Sequence, residues 1–408
     1  MPAFTVYIIL EFSMALLFSV IFTVNMLYQV AVVQLNPLQL VLVGTTLEAS
    51  IFLFEIPTGI LADVKSRRLS VIIGYVIAGI GFIVEASVPQ FWAVALGQAL
   101  WGLGYTFTSG ATQAWIADEI GPERAGQAFL RGAQAAQIGA LVGIPLSVLL
   151  GRGQITLPII LGGVGLIALA GFLAAAMPET GFTPTPKGER STFGQMFQTV
   201  RDARQMTRRQ PVILALLGIG LFFGMYSEGF DRLWTPHLLQ NFAGPWGGEA
   251  EPVVWFGVIR AAAFLLSLAA TEAVRRRVDT AKIPALSRVL TGITALMVVA
   301  LAGFGLAGSF WLALALYWAF GALRAVREPL HNTWLNGLID SPQVRATLFS
   351  ASSQVDAIGQ IIAGPAVGMV GSLLSIRAAL ATSAAILSPA AWLYARAGRK
   401  GKETGASF

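Results

Sequence analysis

Apolar positions in this chain come in long blocks, not in the alternation of a half-buried strand. Twelve such blocks can be marked, near 5–32, 38–62, 69–88, 91–116, 132–151, 155–177, 211–239, 252–274, 284–306, 309–330, 346–371 and 374–395. Each is close to or above the roughly 20 residues that a helix needs to cross a bilayer. The pattern predicts an all-α membrane protein with twelve transmembrane helices.

The connections alternate in character. "QLNP", "SVPQ", "GRGQ" and "AGS" are short and poor in Lys and Arg. The others carry "KSRR", "PERAG", "RRRVDTAK", "SPQVR" and the tail "RAGRKGK". Basic loops stay on the cytoplasmic side, so both termini are expected there, in an inner (plasma) membrane. The first block is long and lacks a charged leader and a cleavage site, so it reads as a retained helix.

One polar stretch, 178–210, divides the blocks into six and six. It begins Pro-rich, as a linker does. From Ser191 onward Phe193, Met196, Phe197 and Val200 follow helical spacing beside Arg201, Arg204, Arg208 and Arg209. That is the pattern of an amphipathic helix on a membrane surface. The expected organisation is a six-helix bundle at 1–177, a linker at 178–210 and a second six-helix bundle at 211–408.

The two halves repeat each other. A shift of 220 pairs Pro122 with Pro342, Phe129 with Phe349, Gln134 with Gln354, Ile138 with Ile358, Gly139 with Gly359 and Pro145 with Pro365. Trp115 falls opposite Trp334 in "GATQAWIAD" and "PLHNTWLNG". A shift of 209 pairs Asp63, Arg67 and Arg68 with Glu272, Arg276 and Arg277. Two pseudo-symmetric bundles of this kind place a substrate site between them at mid-membrane.

Composition agrees. Of the 408 residues 55% are hydrophobic and 12% charged, with a mean hydropathy of +0.70, against about a quarter charged in soluble domains. The pI of about 9.8 raises nucleic acid as a partner, but the basic residues gather in one set of loops, which is topology and not a phosphate-binding face. Cysteine is absent, which removes disulfides, thiol chemistry and Fe–S ligation. The two histidines, His237 and His331, are far apart, and no metal-ligand spacing occurs. No phosphate loop and no Ser/His/Asp or Cys/His constellation is present, so neither an enzyme nor a cofactor is expected.

The stretch Gly59-Ile60-Leu61-Ala62-Asp63-Val64-Lys65-Ser66-Arg67-Arg68 resembles the loop signature of the major facilitator superfamily, G-x-L-a-D-[RK]-x-G-[RK]-[RK]. Val64 and Ser66 depart from it, at a usual basic residue and a usual glycine. Twelve spans and the two-fold repeat extend the likeness over nearly the whole chain. Within the family it looks most like bacterial drug-efflux members of the macrolide and tetracycline type. "LGQALWGLGYTFTSGATQAW" keeps Gly102 and Gly104 of the fourth-helix pattern, with Gln98 where proton-coupled members often carry Arg. "GALVGIPLSVLLG" keeps Gly139, Gly143 and Pro145 of the antiporter pattern, with Ile144 intervening.

The resemblance implies a gating role for Gly59, Asp63, Arg67 and Arg68. In relatives the matching Asp meets the positive N-terminal end of a helix in the other half, here near Arg345, in one conformation only. It also implies that the first, fourth, seventh and tenth helices line a cavity. Carried over by helix, Asn25, Trp101, Tyr105, Tyr226, Trp318 and Arg324 are the candidate lining residues, and so apolar and aromatic a cavity suits an amphiphilic ligand.

Charge inside the membrane is costly and calls for a reason. Gly44, Glu48, Phe52, Glu55 and Gly59 share one stripe of the second span, expected to face protein. Glu48 and Asp356 lie near mid-depth and are the leading proton-coupling candidates, followed by Glu55 and Glu11. Glu228, Asp231, Arg232 and Arg260 sit in the outer parts of the seventh and eighth spans. They could form a neutral cluster, either tying helices together or acting as an outer gate, and an Arg260 in the cavity would favour anionic or zwitterionic ligands. The expected function is export of small hydrophobic or amphiphilic compounds in exchange for protons, by a monomer surrounded by membrane lipids. The rivals are an uncoupled facilitator or importer, a lipid or lysolipid translocator, and a transporter-like scaffold.

Overall fold

The computed structural model describes residues 1–184, 211–242, 244, 251–278, 283–337 and 342–403. The amphipathic helix expected at 191–209 lies outside them, as does the side chain of Arg345.

Thirteen α-helices run through the described residues: α1 Ala3–Ala31, α2 Pro37–Val64, α3 Arg67–Ser87, α4 Phe91–Thr108, α5 Ala111–Ile120, α6 Pro122–Gly151, α7 Leu157–Ala176, α8 Pro211–Asn241, α9 Glu251–Arg277, α10 Ile283–Leu306, α11 Phe310–Gly337, α12 Pro342–Leu373 and α13 Ile376–Glu403. Among the described residues ten helices are long and apolar enough to cross a membrane. The two expected spans outside that set have visible reasons. The fourth, read as continuous over 91–116, breaks at Ser109–Gly110 into α4 and α5. Ser109 is extended and Gly110 takes a φ of 72°, a left-handed conformation that glycine adopts without steric cost. The tenth, α11, carries Arg324, Arg327 and Glu328 within one helix.

The chain divides into two compact units. Unit 1 comprises Met1–Leu35, Thr46–Phe193 and Pro245–Ala261; unit 2 comprises Asn36–Thr45, Gly194–Gly244 and Ala262–Phe408. The first turns of α2 thus belong to unit 2, and those of α9 to unit 1.

In unit 1, α1 packs on α6 and α3 on both α4 and α7. Close backbone approach makes this possible. A Cβ added at Gly81 would come within 2.7 Å of the Gly97 carbonyl oxygen, and one at Gly97 equally near that of Gly81. A Cβ at Gly139 would overlap the Phe12 carbonyl. Hydroxyls then tie the helices across the apolar contact: Ser19 Oγ donates to Ala140 O at 2.8 Å, and Ser147 Oγ to Val20 O at 2.6 Å. Small residues at the contact and side-chain hydrogen bonds to backbone are what holds helices together where lipid offers no hydrophobic drive.

Unit 2 repeats the plan. Helix α8 packs on α12 and α13, and α10 on α11 and α13. Gly359, the repeat partner of Gly139, lies where a Cβ would come within 2.6 Å of Leu221 O. Trp115 and Trp334, also repeat partners, are both 1% exposed.

Candidate functional site

Unit 1 encloses a cavity of about 330 Å³ bordered by α1, α3, α4 and α5. The break between α4 and α5 opens part of its wall, and Ser109 and Gly110 both line it. Phe18, Phe22, Tyr75, Trp101 and Tyr105 supply aromatic surface. Phe18 and Phe22 stack with centroids 5.7 Å apart, and Phe22 lies 4.8 Å from Trp101. Phe82 closes the group edge-on to Phe22 at 5.6 Å. Glu11 is the acidic residue of this wall, one turn along α1 from buried Tyr7.

Beyond the aromatic layer, one turn further along the same helices, lies a buried polar cluster. Asn25 and Gln29 follow Phe22 on α1, Glu85 follows Phe82 on α3, and Gln98 precedes Trp101 on α4. Glu85 is fully buried. Its Oε1 accepts from Asn25 Nδ2 at 2.8 Å and from Gln29 Nε2 at 2.7 Å, and its Oε2 from Gln98 Nε2 at 2.9 Å. Tyr28 donates to the Glu85 carbonyl at 2.9 Å. Carboxylates this deep persist when hydrogen bonds replace their water shell.

Unit 2 pairs two of its acids, Asp231 and Glu228, with guanidinium groups. Arg324 Nη1 and Nη2 bind Asp231 Oδ1 and Oδ2 at 2.5 and 2.9 Å, a two-pronged pair whose fixed geometry suits arginine. Tyr226 lies 5.9 Å from the same guanidinium. One turn on, Arg327 sits 3.5 Å over the Phe223 ring and donates to Tyr394 Oη from Nε and Nη2 at 3.2 and 3.0 Å. With both donors directed at that oxygen, the Tyr394 hydrogen is left for His331 Nδ1, 2.7 Å away, which makes His331 the Nε2–H tautomer. Arg232 and Glu228 pair at 3.4 Å, 10% and 5% exposed along their side chains. Asp356 accepts from Gln360 Nε2 at 2.8 Å.

The basic loop after α2 is held inside unit 1. Ser66 caps α3, accepting from Leu69 N at 2.9 Å and donating to Glu179 Oε2 at 2.6 Å. Glu179 Oε1 also accepts from Arg68 N at 2.9 Å. Arg67 pairs with Asp118 on α5, and Arg68 donates to Ala174 O on α7. The serine at the usual glycine position is therefore the helix cap.

The expected site residues fall into separate places. Glu11, Trp101 and Tyr105 line the unit 1 cavity. Asn25, expected there too, instead serves the Glu85 cluster. Asp231 takes Arg324 as its partner, while Arg260 gives Nη1 to Phe22 O at 2.7 Å. Along α2, Gly44 is buried, Glu48 half-buried and Glu55 exposed, so the expected protein-facing stripe loses its cover toward the end of the helix. A Cβ at Gly59 would meet nothing within 4 Å, and Asp63 and Trp318 are half-buried. Glu85 carries no mark in the sequence beyond being the one acid in the third block, and its position near the block's end masks its depth.

A helical membrane protein with ten apolar spans among its described residues, and with a cavity of solute size walled by aromatic rings and one carboxylate, has the build of a solute transporter. The sequence pattern of the Major Facilitator Superfamily matches residues 4–325. The chain belongs to that superfamily. It is 21% identical over 351 residues to the uncharacterized MFS-type transporter YxaM of Bacillus subtilis (strain 168), covering 86% of this chain and 85% of that one. Its fold is similar to the nucleoside transporter NupG, with a TM-score of 0.74 at 15% identity over 97% of this chain and 99% of the other. A bacterial homolog of the human lysosomal transporter Spinster, inward-facing and unoccupied, gives a TM-score of 0.72 at 15% identity over 97% and 96%.

Proposed function

We propose that this transporter exports small hydrophobic or amphiphilic compounds in exchange for protons, by alternating access. The observation that carries the reading is the unit 1 cavity, an aromatic chamber with hydroxyls at one end and a single carboxylate, which suits a greasy solute better than a sugar or a nucleoside. Two six-helix bundles at 1–177 and 211–408, joined by 178–210, would exchange the access of a monomer lying in the plasma membrane with cytoplasmic termini. Glu48 and Asp356, with Glu55 and Glu11 behind them, are the groups to carry the coupled proton; Asp63 with Gly59, Arg67 and Arg68 would bias the conformational equilibrium.

The test is substrate-driven proton movement in proteoliposomes. Export with coupling gives an internal pH change on addition of an aromatic amphiphile. Glu48→Gln removes the dependence on a pH gradient, and Asp63→Asn stops transport while leaving insertion normal. Retained coupling in Glu48→Gln, or unchanged transport in Asp63→Asn, defeats the assigned role.

One observation favours a second reading, an uncoupled facilitator. Gln98 replaces a residue that proton-coupled relatives often hold as arginine, and here it serves the Glu85 cluster. Flux with no response to pH would select that reading.

A further inference from the structure

We propose that the unit 1 cavity selects organic monocations, with Glu11 as their counter-ion and the faces of Phe18, Phe22 and Trp101 as their seat. The inference deepens the export reading, and rests on it for the cavity being the substrate chamber.

Four observations converge. The residues that line the cavity include one carboxylate, Glu11, and no Lys, Arg or His. Glu11 is half-buried in the wall, and its carboxylate has acceptor capacity for a donor in the cavity. The aromatic wall is already packed as a unit, Phe22 against Phe18 at 5.7 Å and against Trp101 at 4.8 Å, so it presents ring surface that attracts a cation within about 6 Å of a ring centre. Arg260, the basic residue that would have favoured anions, donates to the Phe22 carbonyl at 2.7 Å and is outside the lining.

An organic cation gains the carboxylate and the ring faces together. An anion of the same shape meets Glu11 as a like charge in a pocket of low dielectric. A neutral compound gains the apolar surface alone. The hydroxyls of Thr108, Ser109 and Thr112 lie across the cavity as neutral contacts, so nothing in the lining compensates a negative ligand.

Equilibrium binding to the full-length protein in detergent tests this, with binding to empty micelles subtracted. The probes are tetraphenylphosphonium and tetraphenylborate, alike in shape and opposite in charge. Wild-type protein is expected to hold the phosphonium at least about tenfold more tightly than the borate, and Glu11→Gln to lose at least about tenfold of that affinity. Glu11→Asp should restore a part. Equal binding of the two probes to wild type, which needs no variant, overturns the proposal. So does full phosphonium affinity in a folded Glu11→Gln protein. Because no gradient is involved, charge-selective binding in a protein that moves no protons refutes the export reading and leaves this one standing. Proton-coupled flux of neutral compounds alone, with no phosphonium binding, does the reverse.

Discussion

The two units are built on the same packing plan and treat their most deeply buried carboxylates, Glu85 and Glu228, in opposite ways. In unit 1 three amides donate to the carboxylate of Glu85. In unit 2 guanidinium groups do so, Arg324 for Asp231 and Arg232 for Glu228. The first arrangement solvates a negative charge with neutral donors. The second cancels it locally, at the cost of desolvating two ions. Duplicated helices therefore need not imply duplicated chemistry: Gly139 and Gly359 do the same work, whereas Glu85 has no acidic counterpart at the matching depth of α10.

The sharpest way to break this contrast is to remove one member of the unit 2 pair. Arg232→Leu leaves the Glu228 carboxylate, 4% exposed, without its cation. The expected loss is about 3 kcal/mol of stability, read as a lower melting midpoint in detergent. Converting Glu228 to Leu as well should return most of it, since an apolar pair can replace a buried ion pair at little cost. A single variant that melts like wild type would show that the pair cancels nothing.

The unit 1 cluster should respond differently. Glu85→Ala strands the donors of Asn25, Gln29 and Gln98, and about 2 kcal/mol should go with them. Glu85→Gln should cost well under half of that. It keeps an acceptor for Asn25 and Gln29, and Gln98 can turn its amide so that its own buried, unpartnered oxygen receives the new NH₂. If Glu85→Gln is as damaging as Glu85→Ala, the cluster depends on the carboxylate's charge, and the contrast with unit 2 narrows.

What the sequence made legible follows from how each feature is encoded. Long apolar blocks and basic loops reflect solvation, so most helices could be placed from them. The repeat located Gly139 and Gly359, and Trp115 and Trp334, because packing at a shared contact constrains residue type. The break at Ser109–Gly110 was hidden, since no charged residue interrupts "YTFTSGATQAW" and the turn rests on the backbone angle of one glycine. The Asp231–Arg324 pair was hidden because its partners lie 93 positions apart, on helices whose contact no local spacing encodes. Glu85 lies near the end of the block 69–88, where an acid draws no attention. Partners contributed by two other helices leave no spacing to read.

Where the units agree, matched changes should agree too. Gly139→Val and Gly359→Val each drive a branched side chain into a facing backbone, at Phe12 and Leu221. Each should cost about 2 kcal/mol, as overpacked cores do. Similar melting shifts would confirm that the shared plan is energetic as well as geometric. A tolerated Gly359→Val beside a damaging Gly139→Val would mean that unit 2 has room at the contact, and that the repeat has relaxed there.

The smallest effect separates the matched basic loops. In unit 1 Ser66 caps α3 and, with Arg67 and Arg68, joins that helix to α5, α7 and Glu179. In unit 2 the corresponding Arg276 turns back to Glu272 at 2.6 Å on its own helix, where its side chain is 73% exposed. Ser66→Ala removes the cap acceptor of Leu69 N and the donor to Glu179, and about 1 kcal/mol should be lost. Glu272→Gln touches an exposed ion pair of the kind that contributes little, and no shift in the melting midpoint is expected. The ordering is the informative result. A Glu272→Gln protein that melts below Ser66→Ala would mean that the unit 2 loop is the anchored one, and that the matched loops have exchanged the roles assigned to them here.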